Sequence, residues 1–375
     1  MPRPALARAR RLVVKVGTGT LTDATGRFDR ENCARLSAEL AAVSAGRRLV
    51  LVSSGAVALG AERLGLVRLS GRPWDIATKQ ACAAVGQPHL MAAWGEALGA
   101  HGLTVAQVLL TAEDLASRKR FLNARRTFQQ LLERGVVPVV NENDTVAVEE
   151  IKVGDNDTLA ALVAGCVEAD LVAMLTDVDG LYDRDPREQG AVLFHEVERV
   201  TAEVERIAGG AGSERSTGGM ATKVKAARRL GAQGVVTALL SGRRAGALAA
   251  LLGGERVGTV FAAAAERLSA RDGWLSAAAK GKGLILVDAG ARRAIEEKGK
   301  SLLPSGVKGV HGTFGVGDPV EIAVDAAHPF ARGLAGYAAD DVRRLVGKKS
   351  SEIEATLGFK YTDEVVHRND LVILE

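Results

Sequence analysis

Over roughly its first 262 residues the chain alternates short apolar runs with longer amphipathic or alanine-rich segments, a rhythm that predicts βα units around a largely parallel sheet. Of the runs at 12–16, 49–53, 105–110, 136–141, 171–176 and 235–241, most are rich in Val and Leu without polar alternation, as expected of strands covered on both faces. Helices are expected at 30–45, 76–100, 124–134, 158–169 and 220–230, joined by turns of Gly, Asn and Asp. Beyond residue 266 the texture changes. A small, polar, glycine-containing stretch leads into closely spaced strands at 284–287, 309–314, 320–324, 333–337 and 365–374, with short helices at 292–298 and 340–345. The division this implies is a first domain over 1–268, a linker over 269–282 and a small β-rich domain over 283–375.

With 375 residues, 47% hydrophobic and 25% charged, the chain can bury two cores. Cys33, Cys82 and Cys166 are scattered and odd in number, with no close Cys or His at metal-ligand spacing, so neither a disulfide framework nor a zinc site is indicated and a reducing cytoplasm is expected. The basic N-terminus runs into a short strand rather than the apolar core of a secretory signal, and no run reaches the ~18 apolar residues of a membrane span. The net charge of +4 belongs to the larger part: residues 281–375 hold 13 Lys and Arg against 14 Asp and Glu. That balance argues against RNA as the principal partner of the C-terminal domain.

Four polar clusters follow strand ends, where open α/β sheets bind ligands. In the first, Lys15 interrupts an apolar strand ahead of Gly17 and Gly19; a lysine there is costly to bury unless an anion meets it, and the glycines let backbone N–H groups approach the same anion. A dinucleotide fingerprint would need glycine where Thr22 stands, which removes a NAD-linked oxidoreductase, and there is no Walker-type loop. In the second, Ser54-Gly55 joins a strand to a helix, a placement that serves a plain helix cap or an anion equally well. The third is Asn141-Glu142-Asn143-Asp144, more polar than a turn needs, followed ten residues on by Gly154-Asp155-Asn156-Asp157 at a helix start, more polar than a cap needs. The fourth combines Thr176-Asp177 after a buried strand with the loop Thr217-Gly218-Gly219-Met220-Ala221-Thr222-Lys223, which brings N–H donors, a helix start and a cation together as a phosphate site would.

In this order, these motifs resemble the amino-acid kinase family, and the tail after residue 282 resembles the PUA module carried by some of its members. The resemblance implies an α/β amino-acid kinase fold, a largely parallel sheet sandwiched by helices, followed by a β-rich PUA-like domain. It implies transfer of the ATP γ-phosphoryl group to a carboxylate, with L-glutamate favoured as the acceptor by residues 141–144 and the PUA-like tail. Lys15 and Lys223 then stand as the catalytic cations and Asp157 as their organiser. Ser54, Gly55, Asp144 and Asn156 bind the acceptor. Lys15, Gly17, Thr176, Asp177, Thr217, Gly218, Gly219, Met220, Ala221, Thr222 and Lys223 bind ATP. Mg²⁺ is expected with the nucleotide, no protein ligand for it is named, and feedback inhibition by proline and a homo-oligomer are further expectations. The rivals are the same fold acting on N-acetylglutamate, aspartate, carbamate or UMP, and an RNA-binding protein working through the PUA-like domain.

Overall fold

Five of the six residues of the first strand, β1 (Arg11–Val16), are buried, because sheet neighbours flank it and helices cover both faces. The computed structural model describes residues 3–66, 74–147, 156–209, 219–263, 275 and 281–374. Among them, β1 pairs in parallel with β2 (Arg48–Ser53) and β5 (Leu171–Thr176). On one side the sheet continues through β4 (Val137–Glu142) to β3 (Val105–Leu110). On the other it runs through β7 (Val236–Ser241) and β8 (Thr259–Phe261) to β6 (Glu196–Val197). Only β8 and β6 run against the rest. These two are absent from the sequence expectation, being three and two residues long and too short to show a period.

The chain builds outward from β1 to one edge through β2, β3 and β4, then returns to the other side of β1 with β5. This reversal makes the carboxyl ends of β1, β2 and β5 a topological switch point, the place where such sheets bind ligands. Alternation along β1 sorts its side chains. Leu12, Val14 and Val16 join a core with Leu36 and Leu40 of α2 (Arg30–Ser44) and with Leu90 and Trp94 of α4 (Ile76–Gly99). Lys15 therefore faces the opposite side, where α7 (Asn156–Val167) packs.

Helix α7 starts two residues earlier than the expected 158–169, which puts Asp157 inside its first turn rather than at a cap. The helix expected at 124–134 extends back to Arg118, as α6 (Arg118–Glu133), through the polar run Arg118-Lys119-Arg120 that hid its first turn. The 24-residue α4 continues through Pro88 and packs tightly on α3 (Ala56–Arg63). A methyl group on Gly60 would sit 1.7 Å from the Cys82 carbonyl oxygen, and one on Gly86 would sit 1.8 Å from that of Ala56, so the helices meet backbone to backbone.

The chain divides into compact units at Met1–Arg267 and Leu268–Glu375. Apart from Leu275, Gly281 and Lys282, the expected linker 269–282 lies outside the described residues. The second unit has a five-stranded sheet in the order β10 (Val307–Gly312), β9 (Gly283–Val287), β11 (Pro319–Ala323), β12 (Pro329–Leu334) and β13 (Leu371–Ile373). Its own core includes Ile285, Ile322, Tyr337, Val342 and Leu345. The strand expected at 333–337 lies instead at Pro329–Leu334; Tyr337 is buried, but its phenol donates to the Thr362 carbonyl and holds a bend. The strand expected at 365–374 is broken by a 3-10 turn at Arg368–Asp370, so Val366 bridges to Leu302 and only residues 371–373 pair in the sheet.

Candidate active site

One carboxylate holds two cations at the switch point. Lys15, projecting from β1, places its Nζ 2.7 Å from Asp157 Oδ1, and Lys223, in the first turn of α9 (Met220–Ala232), places its Nζ 3.1 Å from Asp157 Oδ2. All three side chains are almost fully shielded: Asp157 is 0% exposed and the lysines 4% and 6%. The Thr222 hydroxyl lies 3.1 Å from the same Oδ2. Two ammonium groups thus converge on one carboxylate, each at charge-assisted hydrogen-bond distance. A Cβ on Gly17 would stand 3.5 Å from Lys15 Nζ, so glycine keeps the space beside the ammonium clear. The Gly17 N–H itself is directed at the Leu175 carbonyl, 3.4 Å away, rather than at the site, a departure from its expected role as a donor to an anion.

The neighbouring residue turns the other way. Asn156 Nδ2 donates to Ser54 Oγ at 2.6 Å and to Asn141 Oδ1 at 3.0 Å, drawing together the ends of β2, β4 and α7. Ser54 is not a helix cap: Gly55, at φ +114°, occupies the cap position of α3, a conformation glycine adopts without strain. Next to this group burial pushes the Asp144 carboxyl up to about 6, and burial together with the charge of Asp144 pushes Glu142 up to about 7. Two adjacent residues of one helix thus turn opposite ways, Asn156 to the Ser54 side and Asp157 to the lysine side.

At the end of β5 the Thr176 hydroxyl donates to Asp177 Oδ1 at 2.9 Å, and Thr176 pairs in register with Ser241 of β7. Gly219 caps α9 with no side-chain bond, and Met220, Ala221 and Thr222 form the first turn beside Lys223. Thr217, Gly218, Gly154 and Asp155 lie outside the described residues. A second clamp, unforeseen from sequence, ties the glycine turn after β1 to the loop after β7. Arg243 reaches Asp29 Oδ2 at 2.8 Å and the Gly19 carbonyl at 2.9 Å, and Arg35 donates to the Gly242 carbonyl and to Asn32 Oδ1 at 2.7 Å. Gln87 and Gln107 were also missed, since a lone glutamine in an apolar helix or strand carries no motif. Among the described residues no group of three or more His, Cys, Asp or Glu could hold a metal ion, and no helix is long and apolar enough to cross a membrane.

Comparison with known proteins gives the family. Residues 10–240 match the amino acid kinase family and residues 283–357 match the PUA domain. A protein of Anaeromyxobacter dehalogenans (strain 2CP-C) named glutamate 5-kinase is 79% identical over 375 residues, spanning 100% of this chain and 99% of its own length. Another of that name, from Myxococcus xanthus (strain DK1622), is 54% identical over 373 residues, 99% and 98% of the two chains. Among solved structures, carbamate kinase from Giardia lamblia bound to AMP-PNP aligns with 69% of this chain and 100% of its own at 18% identity and a TM-score of 0.49.

Proposed function

We infer that this chain, which belongs to the amino acid kinase family and within it to the glutamate 5-kinases, transfers the γ-phosphoryl group of ATP to the side-chain carboxylate of L-glutamate. The products are L-glutamyl 5-phosphate and ADP, and the reaction is the first step of proline synthesis from glutamate. The observation that carries the mechanism is the grip of Asp157 on Lys15 and Lys223 at 2.7 and 3.1 Å.

The nucleophile needs no base. A glutamate side chain titrates near ~4.3 and is already ionised at neutral pH, so catalysis reduces to bringing two anions together and neutralising charge as the phosphoryl group moves. Lys15 supplies that neutralisation from β1 and Lys223 from the first turn of α9, and Asp157 sets their separation. Thr176, Asp177, Gly17 and the turn from Gly219 to Lys223 form the nucleotide side, joined by Thr217 and Gly218. Ser54, Gly55, Asp144 and Asn156 form the acceptor side. There the Asp144 carboxylate suits a free α-ammonium, and the Ser54 hydroxyl suits a substrate carboxylate. Mg²⁺ fits as part of the MgATP substrate, held by phosphate oxygens and water, since the Asp157 carboxylate is already engaged by both lysines. Proline, a cyclised relative of the acceptor, is taken to compete on the acceptor side, and a homo-oligomer belongs to the same reading.

The test is ADP release with glutamate, N-acetylglutamate, aspartate, carbamate and UMP offered in turn, with hydroxylamine trapping of the acyl phosphate. Only glutamate should yield the hydroxamate at high turnover. Asp144→Ala and Asn156→Ala should raise the KM for glutamate far more than that for ATP; the reverse pattern would show the subsites to be exchanged.

A further inference from the structure

Behind Asn156 runs a chain of amides that reaches helix α4 and the sheet edge, buried at Asn141 and Gln87 and exposed at its far end, Gln107. Asn156 Nδ2 donates to Asn141 Oδ1 at 3.0 Å, Asn141 Nδ2 donates to Gln87 Oε1 at 3.0 Å, and Gln87 Nε2 donates to Gln107 Oε1 at 3.2 Å. Asn141 is 3% exposed and Gln87 9%. A carboxamide is polar along one axis, so each link that donates through nitrogen fixes which way the next amide turns. In this chain every nitrogen points from the acceptor side toward Gln107. Both N–H bonds of Asn156 are therefore committed, one to Asn141 and one to Ser54 Oγ.

We propose that Gln87 is a positioning residue whose place in this amide relay sets the polarity of the acceptor subsite and so selects for an acceptor with a free α-ammonium. The proposal rests on the assignment of Ser54 and Asn156 to glutamate. With Asn156 Nδ2 held inward, its Oδ1 is the end turned away from the relay, able to accept from an ammonium beside Asp144. With Ser54 Oγ accepting from Asn156, the serine proton is left to donate to a carboxylate. Were the relay reversed, Asn156 would present N–H groups to the ammonium and Ser54 would donate inward, so both contacts to a free amino acid would have the wrong sign. Gln87 is the link that decides this from a distance. It projects from a helix that supplies none of the substrate-contacting residues, one position past Gly86, whose lack of a side chain lets α4 lie against α3.

Gln87→Met keeps the length of the side chain and removes the acceptor for Asn141; Gln87→Glu keeps that acceptor. The full-length chain is assayed with glutamate varied at saturating ATP, and with glutarate, which lacks the ammonium, as a competitive inhibitor. Losing one buried partner in this chain should raise the glutamate KM of Gln87→Met about tenfold. Turnover and the KM for ATP should each stay within about twofold, the glutarate Ki should rise by no more than about threefold because glutarate shares the Ser54 contact and lacks the ammonium one, and Gln87→Glu should restore the glutamate KM to within about threefold of the parent. Equal increases for glutamate and glutarate, or a Gln87→Glu protein as impaired as Gln87→Met, would overturn the proposal, because the glutamine would then only hold the shape of the pocket. Asn156→Ala separates the two levels. If it raises the glutamate KM while Gln87→Met does not, the relay fails and the site assignment stands; if it has no effect, the site assignment falls and the relay with it.

Discussion

Replacing Asp157 by asparagine tests the centre of the site with almost no change of shape. At an effective dielectric of about 20, contacts of 2.7 and 3.1 Å each correspond to about 5–6 kcal/mol of Coulomb attraction, which desolvation of the buried charges largely offsets. Removing the carboxylate takes from two shielded lysines, 4% and 6% exposed, the anion that both of them face. Breaking such a pair costs about 3–5 kcal/mol, and at about 2–4 °C per kcal/mol the melting temperature of the first unit should fall by about 6–20 °C. Nucleotide changes the comparison, because its phosphates then become the anion that both ammonium groups face. Saturating ADP or a non-hydrolysable ATP analogue should therefore raise the melting temperature of Asp157→Asn more than that of the parent, beyond the ~2.7 kcal/mol expected of any ligand at a hundred times its Kd. Turnover should still fall about 10²–10³-fold, since the lysines no longer share one fixed support. Scanning calorimetry with and without nucleotide, beside steady-state kinetics, reads all three. A variant that melts within about 2 °C of the parent, or that gains no more from nucleotide, would refute the view that Asp157 stands in for phosphate in the resting site.

Lys15→Ala and Lys223→Ala should each leave a folded protein whose kcat is down by about two to three orders of magnitude, the equivalent of ~2.7–4 kcal/mol in the barrier; near-parental turnover in either would remove that lysine from the mechanism. Asp144 and Glu142, raised from 3.8 to about 6 and from 4.5 to about 7, predict opposite pH trends for activity and stability. Between pH ~4 and ~7 the folded state holds more protons on these groups than the unfolded state does, so their contribution to stability is present at the acid end and lost as pH rises. Binding of the glutamate ammonium needs Asp144 ionised, so the glutamate KM should rise as pH falls through about 6, and Asp144→Asn should flatten that profile. Cleaving the chain between residues 268 and 282 should leave a soluble first unit that still forms the hydroxamate with glutamate, since each unit has its own core; a folded but inactive fragment would place part of the active site in the second unit.

What could be read from the sequence followed the strength of its periodic signals. The Val- and Leu-rich runs of β1, β2, β4, β5 and β7 stood out because strands buried on both faces leave few polar interruptions, and Lys15 was one; β3 read as the same kind of run, yet it is half-buried with Gln107 exposed. Asn156 and Asp157 were visible because three polar residues at a helix start exceed what capping requires. Their division of labour was not, since which way each turns depends on helix phase and α7 begins earlier than its apolar face suggests. Gln87 and Gln107 were invisible for a different reason: they are 20 residues apart, and only the pairing of β3 with β4 beneath α4 brings them to Asn141. In the second unit, Leu334 and Tyr337 looked like one strand because both are apolar, whereas the hydrogen bond of Tyr337 to Thr362 ends the pairing at Leu334.

The glycines at 60 and 86 bear on how this protein can be stabilised. A glycine inside a helix ordinarily sacrifices about 1 kcal/mol relative to alanine, which makes such positions the first choice when thermostable variants are sought. Here both are held at zero side-chain volume by carbonyl oxygens less than 2 Å from where a methyl would stand. Alanine at either would wedge α3 away from α4, carrying with it the Ser54 turn at the head of α3 and the Gln87 side chain beside Gly86. The chain thus forgoes about 2 kcal/mol of helix propensity for the placement of two side chains, and a programme of glycine replacement should leave these two positions alone.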